Sequence, residues 1–367
     1  MTASTPSGST PSGSAASAES EPAEPDATAP SPGRAGVDRR SPGPWRRALG
    51  QIVHNRAALI ATALLVIVVA VCVAAPLYAH DIAHTDAFRS NLDGTTIVDG
   101  KTVDVLQQNH QGLGLGVTPI GPTWDPAHYL LGADNQGRDV MARLLYGGRT
   151  TLLIGTVSAL VCCALATILG LAAGYFGGVV DWILSRLFDL VWAFPVYLLA
   201  ISLSVVLLTG GLNLGPIHIQ ASSLLLPVLI IALIYVPYVA RPLRGQVLAL
   251  KEREFVKAAV GVGTSDLRIV RREILPNVLP SVIVFLPLMI ALNMLTESAL
   301  SFLSIGVQPP NASWGTIIND GLGLLYTRPA VAIAPGVMLV LTAVAFNLLG
   351  DAIRDALDPK AKLRGSI

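Results

Sequence analysis

The chain has 367 residues, of which 52% are hydrophobic and 13% are charged, and its formal net charge is +1. This composition, with a mean hydropathy of +0.59, is typical of a membrane protein and excludes an ordinary soluble domain. The near balance of charge argues against a nucleic-acid-binding protein, whose binding face carries a surplus of basic residues.

The N-terminal segment 1–50 is rich in Ser, Pro, Ala, Gly and Glu and offers little apolar surface to bury. Because burial could not offset the entropy lost on ordering, we predict a disordered cytoplasmic tail there. We predict a second, short cytoplasmic tail at 360–367.

Six later segments are apolar enough to cross a bilayer as helices, which requires about 20 residues each. We therefore predict an all-α, polytopic integral membrane protein with six transmembrane helices. Prolines within the segments are either hinges or static bends, and the three cysteines are small buried hydrophobes. The predicted spans are 57–79, 150–173, 188–208, 222–240, 278–301 and 330–349.

Basic residues indicate the orientation of these spans. With the N-terminus inside, nineteen Lys and Arg lie on the inner side and six on the outer side. This asymmetry predicts a multi-pass protein of the cell membrane with both termini in the cytoplasm. Residues 51–129 then hold the first span and an extracytoplasmic loop, in which TTIVDGKTVDV predicts a hairpin. This loop is either a docking surface or a spacer.

The inner loop 241–277 contains eight of the 25 Lys and Arg. Within it, Phe255, Ala259 and Val262 recur at i, i+4 and i+7, which predicts a short amphipathic helix. Such a helix either enters a groove of a partner protein or lies on anionic lipid.

Glycines at Gly261 and Gly263 are predicted to end that helix, and the oxygen-bearing side chains of 264–266 to cap a second one. Pro276 suits the first turn of the fifth span. The result is a helix–Gly–helix elbow. The apolar positions of its second helix are Leu267, Val270 and Ile274.

The fifth span carries a polar stripe, because Asn293, Glu297 and Ser301 lie four residues apart. The stripe either lines a translocation path or outer gate, or hydrogen-bonds neighbouring helices together. Arg143 and Arg149 enter the second span at the same level, so we hypothesise that one of them neutralises Glu297.

Ionisable groups elsewhere in the spans are sparse. Asp189 follows Arg186 at i, i+3, which predicts a local ion pair. A self-contained secondary transporter would need such groups near the midplane, whereas Asp189 and Glu297 lie towards helix ends. A membrane-anchored interaction protein is a further alternative.

No nucleotide-binding or hydrolytic motif occurs in the sequence. It has no G-x-x-x-x-G-K-[ST] loop to hold phosphates, no H-E-x-x-H and no G-x-S-x-G. We therefore expect a protein that is not an enzyme and has no cofactor or metal of its own.

The segment KAAVGVGTSDLRIVRREILPN resembles the EAA loop of permease subunits in bacterial ABC importers. Two positions depart from that pattern, since Lys257 stands where Glu is usual and Glu273 where Ile is usual. The positions in register are Lys257, Ala258, Ala259, Gly263, Leu275 and Pro276.

Four further stretches resemble the dipeptide, oligopeptide and nickel branch of these permeases, and the likeness spans 130–359. It implies a transmembrane domain of the type I ABC importer permease fold that moves short peptides, with nickel or another small solute as the alternative cargo. The stretches are LLGADNQGRDVMARLLYGGRTTLLIG, GYFGGVVDWILSRLFDLVWAFP, ESALSFLSIGVQPPNASWG and NLLGDAIRDALDP.

The same resemblance implies partners. They are a homologous permease subunit, two cytoplasmic subunits that bind ATP and Mg, an extracytoplasmic substrate-binding protein and membrane lipid. In the family the elbow fits into a cleft on the ATPase and carries its closure to the spans. The coupling residues implied here are Glu254, Phe255, Lys257, Ala258, Ala259, Gly263, Asp266, Leu275 and Pro276.

Overall fold

The computed structural model describes residues 50, 52–98, 100–108 and 116–357. Apart from Gly50, the two predicted tails lie outside these ranges. Within them, five helices are long and apolar enough to cross a membrane, and a strongly bent pair of helices forms a sixth span if counted as one. This confirms the predicted six-span, helical architecture.

The helices run in chain order and include short irregular pieces. Ala75–Leu77 and a π-helical turn at Tyr78–Ile82 follow α1; Asp266–Ile269 and a π-helical turn at Val270–Ile274 precede α7; a 3₁₀ turn at Leu322–Leu324 follows α8. The main helices are α1 (Arg56–Val73), α2 (Val140–Phe176), α3 (Gly178–Trp192), α4 (Val196–Gly210), α5 (Leu225–Lys251), α6 (Glu254–Gly261), α7 (Leu275–Phe302), α8 (Trp314–Gly321) and α9 (Ala330–Leu357).

The described strands form three antiparallel hairpins, all in the connections between spans. The predicted hairpin in the first long connection is confirmed, because Thr95 pairs with Asp104 and Val98 with Lys101. The strand pairs are β1 (Thr95–Val98) with β2 (Lys101–Asp104), β3 (Leu106–Gln108) with β4 (Val117–Pro119), and β5 (Leu212–Leu214) with β6 (Ile217–Ile219).

The third predicted span, 188–208, is wrong as a single straight helix. The chain instead forms α3 and α4, which meet at an angle of 88°. The break lies at Pro195, which has an extended ψ of 129° and precedes the first residue of α4. Proline disfavours a helical conformation of the residue before it, so the helix ends there.

Helix α2 is the centre of the bundle and presents small residues to its neighbours. A Cβ added to Gly174 would lie 2.7 Å from Val247 Cβ on α5, and one added to Gly155 would lie 2.2 Å from Met294 Cγ on α7. Helices pack this closely in lipid where small residues let their backbones approach. The three cysteines are buried and free, as expected for small apolar side chains.

The bundle has an elbow end and a far end. The elbow end holds the elbow, defined as residues 252–276, together with the C-terminus of α2. The far end holds the N-terminus of α2, the C-terminus of α7 and helix α8. Trp314 fixes α8 to α2 there, since its indole N–H donates to Leu144 O at 3.0 Å and its backbone N–H to Thr151 Oγ1 at 3.1 Å.

Candidate functional site

The elbow has the two arms predicted from the sequence. Helix α6 is the first arm and ends at Gly261, and Gly263 then reverses the chain with a φ of +75°, a conformation that favours glycine. The second arm is not a separate helix, because Asp266–Ile269, the π-helical turn at Val270–Ile274 and α7 follow one another without a break as one 37-residue helix, Asp266–Phe302. The predicted side-chain cap is also absent, since Ser265 is the N-cap but its hydroxyl makes no capping hydrogen bond.

Few elbow side chains are buried against the bundle. Val256, Ile269 and Ile274 are buried, and Ala259 is half-buried. The predicted apolar faces are therefore only partly correct. Phe255 is 41% exposed, Val260 57%, Val262 80% and Leu267 75%.

These exposed apolar side chains lie among charged ones. Glu254, Lys257, Arg268 and Arg271 are all exposed. An exposed apolar patch with a charged rim is typical of a protein–protein interface.

The remaining predicted coupling residues lie around this patch. Ala258 and Pro276 are exposed and Leu275 is half-buried at the start of α7. Lys257 Nζ pairs with Glu252 Oε2 at 2.9 Å, and this hydrogen bond holds the pKa of the Glu252 carboxyl below its ordinary value. The Lys that departs from the EAA pattern thus has an acidic partner within the elbow.

Two residues that the sequence analysis missed tie the elbow to α2. The Tyr175 hydroxyl donates to Asp266 Oδ1 at 2.7 Å, and Lys251 Nζ donates to Tyr175 O at 2.8 Å. The same ammonium lies 5.5 Å from the centre of the Tyr175 ring. Tyr175 and Asp266 are 91 residues apart, so no local spacing could have indicated the contact.

The polar stripe of α7 is fully buried at the far end of the bundle. Asn293, Glu297 and Ser301 each have 0% exposure. The Asn293 side-chain amide lies 3.0 Å from Ser158 Oγ of α2, and Ser301 Oγ donates to Glu297 Oε1 at 2.7 Å. Within this chain, the stripe is therefore buried in the bundle, and Asn293 contacts the neighbouring helix α2.

Hydroxyl groups surround the Glu297 carboxylate. Ser298 Oγ donates to Glu297 Oε2 at 3.3 Å, and the hydroxyls of Thr151 and Ser313 lie near the same carboxylate. Ser301 also accepts from Val307 N at 3.0 Å, which fixes the loop after α7. Glu297 thereby joins α2, α7 and the segment that leads into α8.

The hypothesis that Arg143 or Arg149 neutralises Glu297 is wrong in this structure. Arg143 is buried and pairs with Asp134 Oδ2 at 3.3 Å and Asp320 Oδ2 at 2.7 Å. The Arg149 guanidinium instead lies 5.6 Å from the centre of the Tyr146 ring. Asp134 was recognisable as a local candidate partner, but Asp320 is 177 residues from Arg143.

The predicted pair of Arg186 and Asp189 is present, with a distance of 3.6 Å between Nη1 and Oδ2. A second arginine lies closer, because Arg241 Nη2 contacts Asp189 Oδ1 at 2.8 Å. The Arg241 guanidinium also lies 5.1 Å from the centre of the Trp192 ring. Asp189 thus connects α3 with α5 near the bend at Pro195.

Comparison with known proteins gives two family matches. Residues 166–363 match the binding-protein-dependent transport system inner membrane component, and residues 43–93 match the N-terminal TM domain of oligopeptide transport permease C.

Individual relatives are similar over much of the chain. The glutathione transport system permease protein GsiD of Pectobacterium atrosepticum is 40% identical over 236 residues, which cover 64% of this chain and 74% of that protein. The dipeptide transport system permease protein DppC of Alkalihalophilus pseudofirmus is 32% identical over 319 residues, 87% of this chain and 91% of that one. A solved structure of the inward-facing MetNI methionine ABC transporter aligns with a TM-score of 0.46 and 18% identity, covering 60% of this chain and 98% of that chain.

The first family match covers more than half of the chain, and it includes the elbow and all of α7 and α9. The second covers α1, the span that the first does not reach. Together with the six-span helical fold, these matches show that the chain belongs to the family of inner membrane components of binding-protein-dependent transport systems, the ABC permeases.

Proposed function

We propose that this chain is the permease subunit of an ATP-driven importer that moves short peptides across the cell membrane. Relatives named for dipeptide and glutathione transport support a peptide cargo, and glutathione is itself a tripeptide. The elbow end faces the cytoplasm in this proposal, in agreement with the excess of Lys and Arg on that side. Nickel or another small solute is the alternative cargo.

The exposed patch on the elbow is the observation that carries the proposal. Phe255, Val262 and Leu267 are exposed at the elbow end of the bundle. Exposing these apolar side chains to water costs free energy. A partner that covers them recovers this hydrophobic free energy. The basic residues beside them favour an acidic rim on that partner.

The partner in this proposal is a pair of ATP-binding subunits, with ATP and Mg bound there and not in this chain. A homologous permease subunit completes the membrane pathway, and an extracytoplasmic binding protein delivers the peptide. Closure of the ATPases on ATP displaces α6, and the displacement reaches α2 through the contact between Tyr175 and Asp266. It reaches α7 directly, because the second arm belongs to the same helix.

Reconstituted vesicles with the permease pair, the ATPases and the binding protein test this function. We expect ATP-dependent uptake of radiolabelled dipeptides, tripeptides or glutathione, and none of nickel. Uptake of nickel alone, or uptake that does not need the ATPase subunits, would contradict the proposal.

A glycine pair in the elbow gives a matched test of coupling. Gly263 has a φ of +75°, so a Gly263→Val substitution strains the turn, whereas Gly261 lies at the helix end with open space around its Cα. We expect Gly263→Val to lower both co-purification of the ATPase and peptide uptake. Gly261→Ala is the control and should preserve both.

A further inference from the structure

A cavity of about 580 Å³ opens at the far end of the bundle. It lies between the segment that leads into α2, the loop that follows α7, and α8. Its size is within the range of small-molecule sites, roughly 300–1,000 Å³. The charged and amide side chains that line it include Gln136, Arg138, Arg143, Gln308, Asn319 and Asp320.

The two guanidinium groups meet at one carboxylate oxygen in this cavity. Arg138 Nη2 lies 3.0 Å and Arg143 Nη2 lies 2.7 Å from Asp320 Oδ2. Asp134 Oδ2 forms an ion pair with each arginine, at 2.7 Å from Arg138 Nε and 3.3 Å from Arg143 Nη1. Two positive and two negative charges therefore converge there.

The cluster has unused hydrogen-bonding capacity. Among the described residues, Asp320 Oδ1 has no hydrogen-bond or ion-pair partner, and the Asp320 side chain is 34% exposed. The Nε of Arg143 is buried and also has no partner. A buried donor without an acceptor is unfavourable, so an oxygen ligand that reaches it gains binding free energy.

We propose that this cavity binds the zwitterionic backbone of a short peptide. The peptide carboxylate lies against the guanidinium groups of Arg138 and Arg143, and its ammonium group pairs with Asp320 Oδ1. Arginine suits a carboxylate because its planar donors match the two oxygens. The amide side chains of Gln308 and Asn319 also line the cavity.

This inference rests on the proposed peptide cargo and adds the place where the permease itself recognises it. Recognition of both termini selects for free peptides and against amidated or acetylated ones. The cavity does not select for particular side chains of the peptide, since its charged groups pair with the two peptide termini.

Equilibrium dialysis on the purified permease–ATPase complex, without the binding protein, tests the site. The probe is radiolabelled alanyl-alanine, competed with unlabelled alanyl-alanine, its C-terminal amide and its N-acetyl form. We expect each blocked form to compete about tenfold or more weakly than the free dipeptide, because each loses one charge-assisted hydrogen-bonded contact.

Two substitutions separate the ends of the ligand. Asp320→Asn should abolish discrimination against the N-acetyl form and preserve discrimination against the amide. Arg138→Gln should do the reverse. Arg186→Gln, at an exposed arginine near the bend between α3 and α4, is the matched control and should bind all three peptides as the wild type does. Size-exclusion chromatography of each variant verifies that the complex is intact.

Three outcomes would overturn the inference. Equal competition by blocked and free dipeptides excludes recognition of the termini. Absence of saturable binding by a complex that does import dipeptides in vesicles rejects the site while the proposed function stands. Loss of binding-protein affinity in Arg138→Gln, with unchanged dialysis, assigns the arginines to a carboxylate of the receptor. Vesicles that import no peptide at all would instead reject the proposed function.

Discussion

At the far end of the bundle, charged groups are buried and find their partners within the chain, whereas at the elbow end charged and apolar groups alike are exposed. Glu297 and Arg143 have 0% and 3% exposure, and hydroxyls and carboxylates surround them. The elbow has Val262 at 80% and Leu267 at 75% exposure. Its contacts to the bundle are a few apolar anchors and the Tyr175 hydroxyl.

This difference indicates where the chain depends on other proteins. Buried charges are tolerated only where every charge is paired or hydrogen-bonded, so the far end needs a fixed geometry from its own sequence. An exposed apolar patch needs a covering surface from outside. Substitutions at four positions test this difference between the two ends.

The largest effect is expected from Glu297→Lys at the far end. It places an unpaired cation among hydroxyl groups in a site without exposure, and burying an ion without a counter-ion costs several kcal/mol. We expect loss of monodisperse complex in fluorescence-detected size-exclusion chromatography. Glu297→Gln, which keeps an acceptor for Ser301, is the control, and a monodisperse Glu297→Lys complex would contradict the structure.

Asp139, the N-cap of α2, is expected to make stability depend on pH. Burial raises the pKa of its carboxyl to about 6, and its Oδ1 accepts from Ala142 N at 3.0 Å. The pKa of Asp139 is higher in the folded state than in the unfolded state. The contribution of its protonated carboxyl to the free energy of unfolding is therefore present in acid and is lost as pH rises through about 6. The loss is about 3 kcal/mol, since one pKa unit is worth about 1.4 kcal/mol.

Thermal unfolding of the purified chain between pH 4 and 8 measures this dependence. We expect Asp139→Asn, which keeps the capping oxygen, to raise Tm at pH 8 and leave it unchanged at pH 4. Asp139→Ala removes the cap and should cost about 1 kcal/mol more than Asn at either pH. If the Tm of Asp139→Asn depended on pH as strongly as the Tm of the wild type, the pH dependence would come from another titrating group.

Tyr175→Phe should weaken the contact between α2 and the elbow while leaving the bundle folded. It removes a hydrogen bond to the Asp266 carboxylate, which is worth about 1.5–3 kcal/mol. We expect fewer peptides imported per ATP hydrolysed in vesicles, and a Tm lowered by several degrees in a complex that is still folded. Tyr326→Phe, at a fully exposed tyrosine of the far end, is the control. Equal coupling ratios in both variants would remove Tyr175 from the transmission path.

The smallest effect is expected from Lys257→Ala. Lys257 and Glu252 are 62% and 72% exposed, and ion pairs in such positions are screened by water and salt. We expect no measurable change in Tm, and the same for Glu252→Ala. A clear drop in Tm for either variant would mean that the elbow is covered even in the isolated chain.

Sequence reasoning succeeded where the determining interactions are local. Hydropathy placed the spans because a helix satisfies its backbone hydrogen bonds within itself, and the hairpin of β1 and β2 follows from alternation and a turn. The elbow was located by Gly263 for the same reason. The bend at Pro195 was not distinguishable from Pro237 or Pro287, which lie inside continuous helices.

Contacts between residues far apart in the sequence could not be predicted from local patterns. Arg143 has two aspartate partners, and the one from α8 is 177 residues away. The expected pair with Glu297 was reasonable by depth in the membrane, but the hydroxyls of Thr151 and Ser313 occupy the place around that carboxylate. Depth along a helix axis follows from the sequence, whereas the direction in which a side chain finds its partner follows from packing.

The unbroken helix Asp266–Phe302 has a thermodynamic consequence for the whole importer. Its 37 residues amount to roughly 55 Å of helix, with the Asp266 contact at one end and the Ser301 wall of the cavity at the other. This helix connects the elbow physically with the cavity. If ATP in the partner subunits changes the affinity of the cavity for a dipeptide, then the dipeptide changes the affinity for ATP by the same factor.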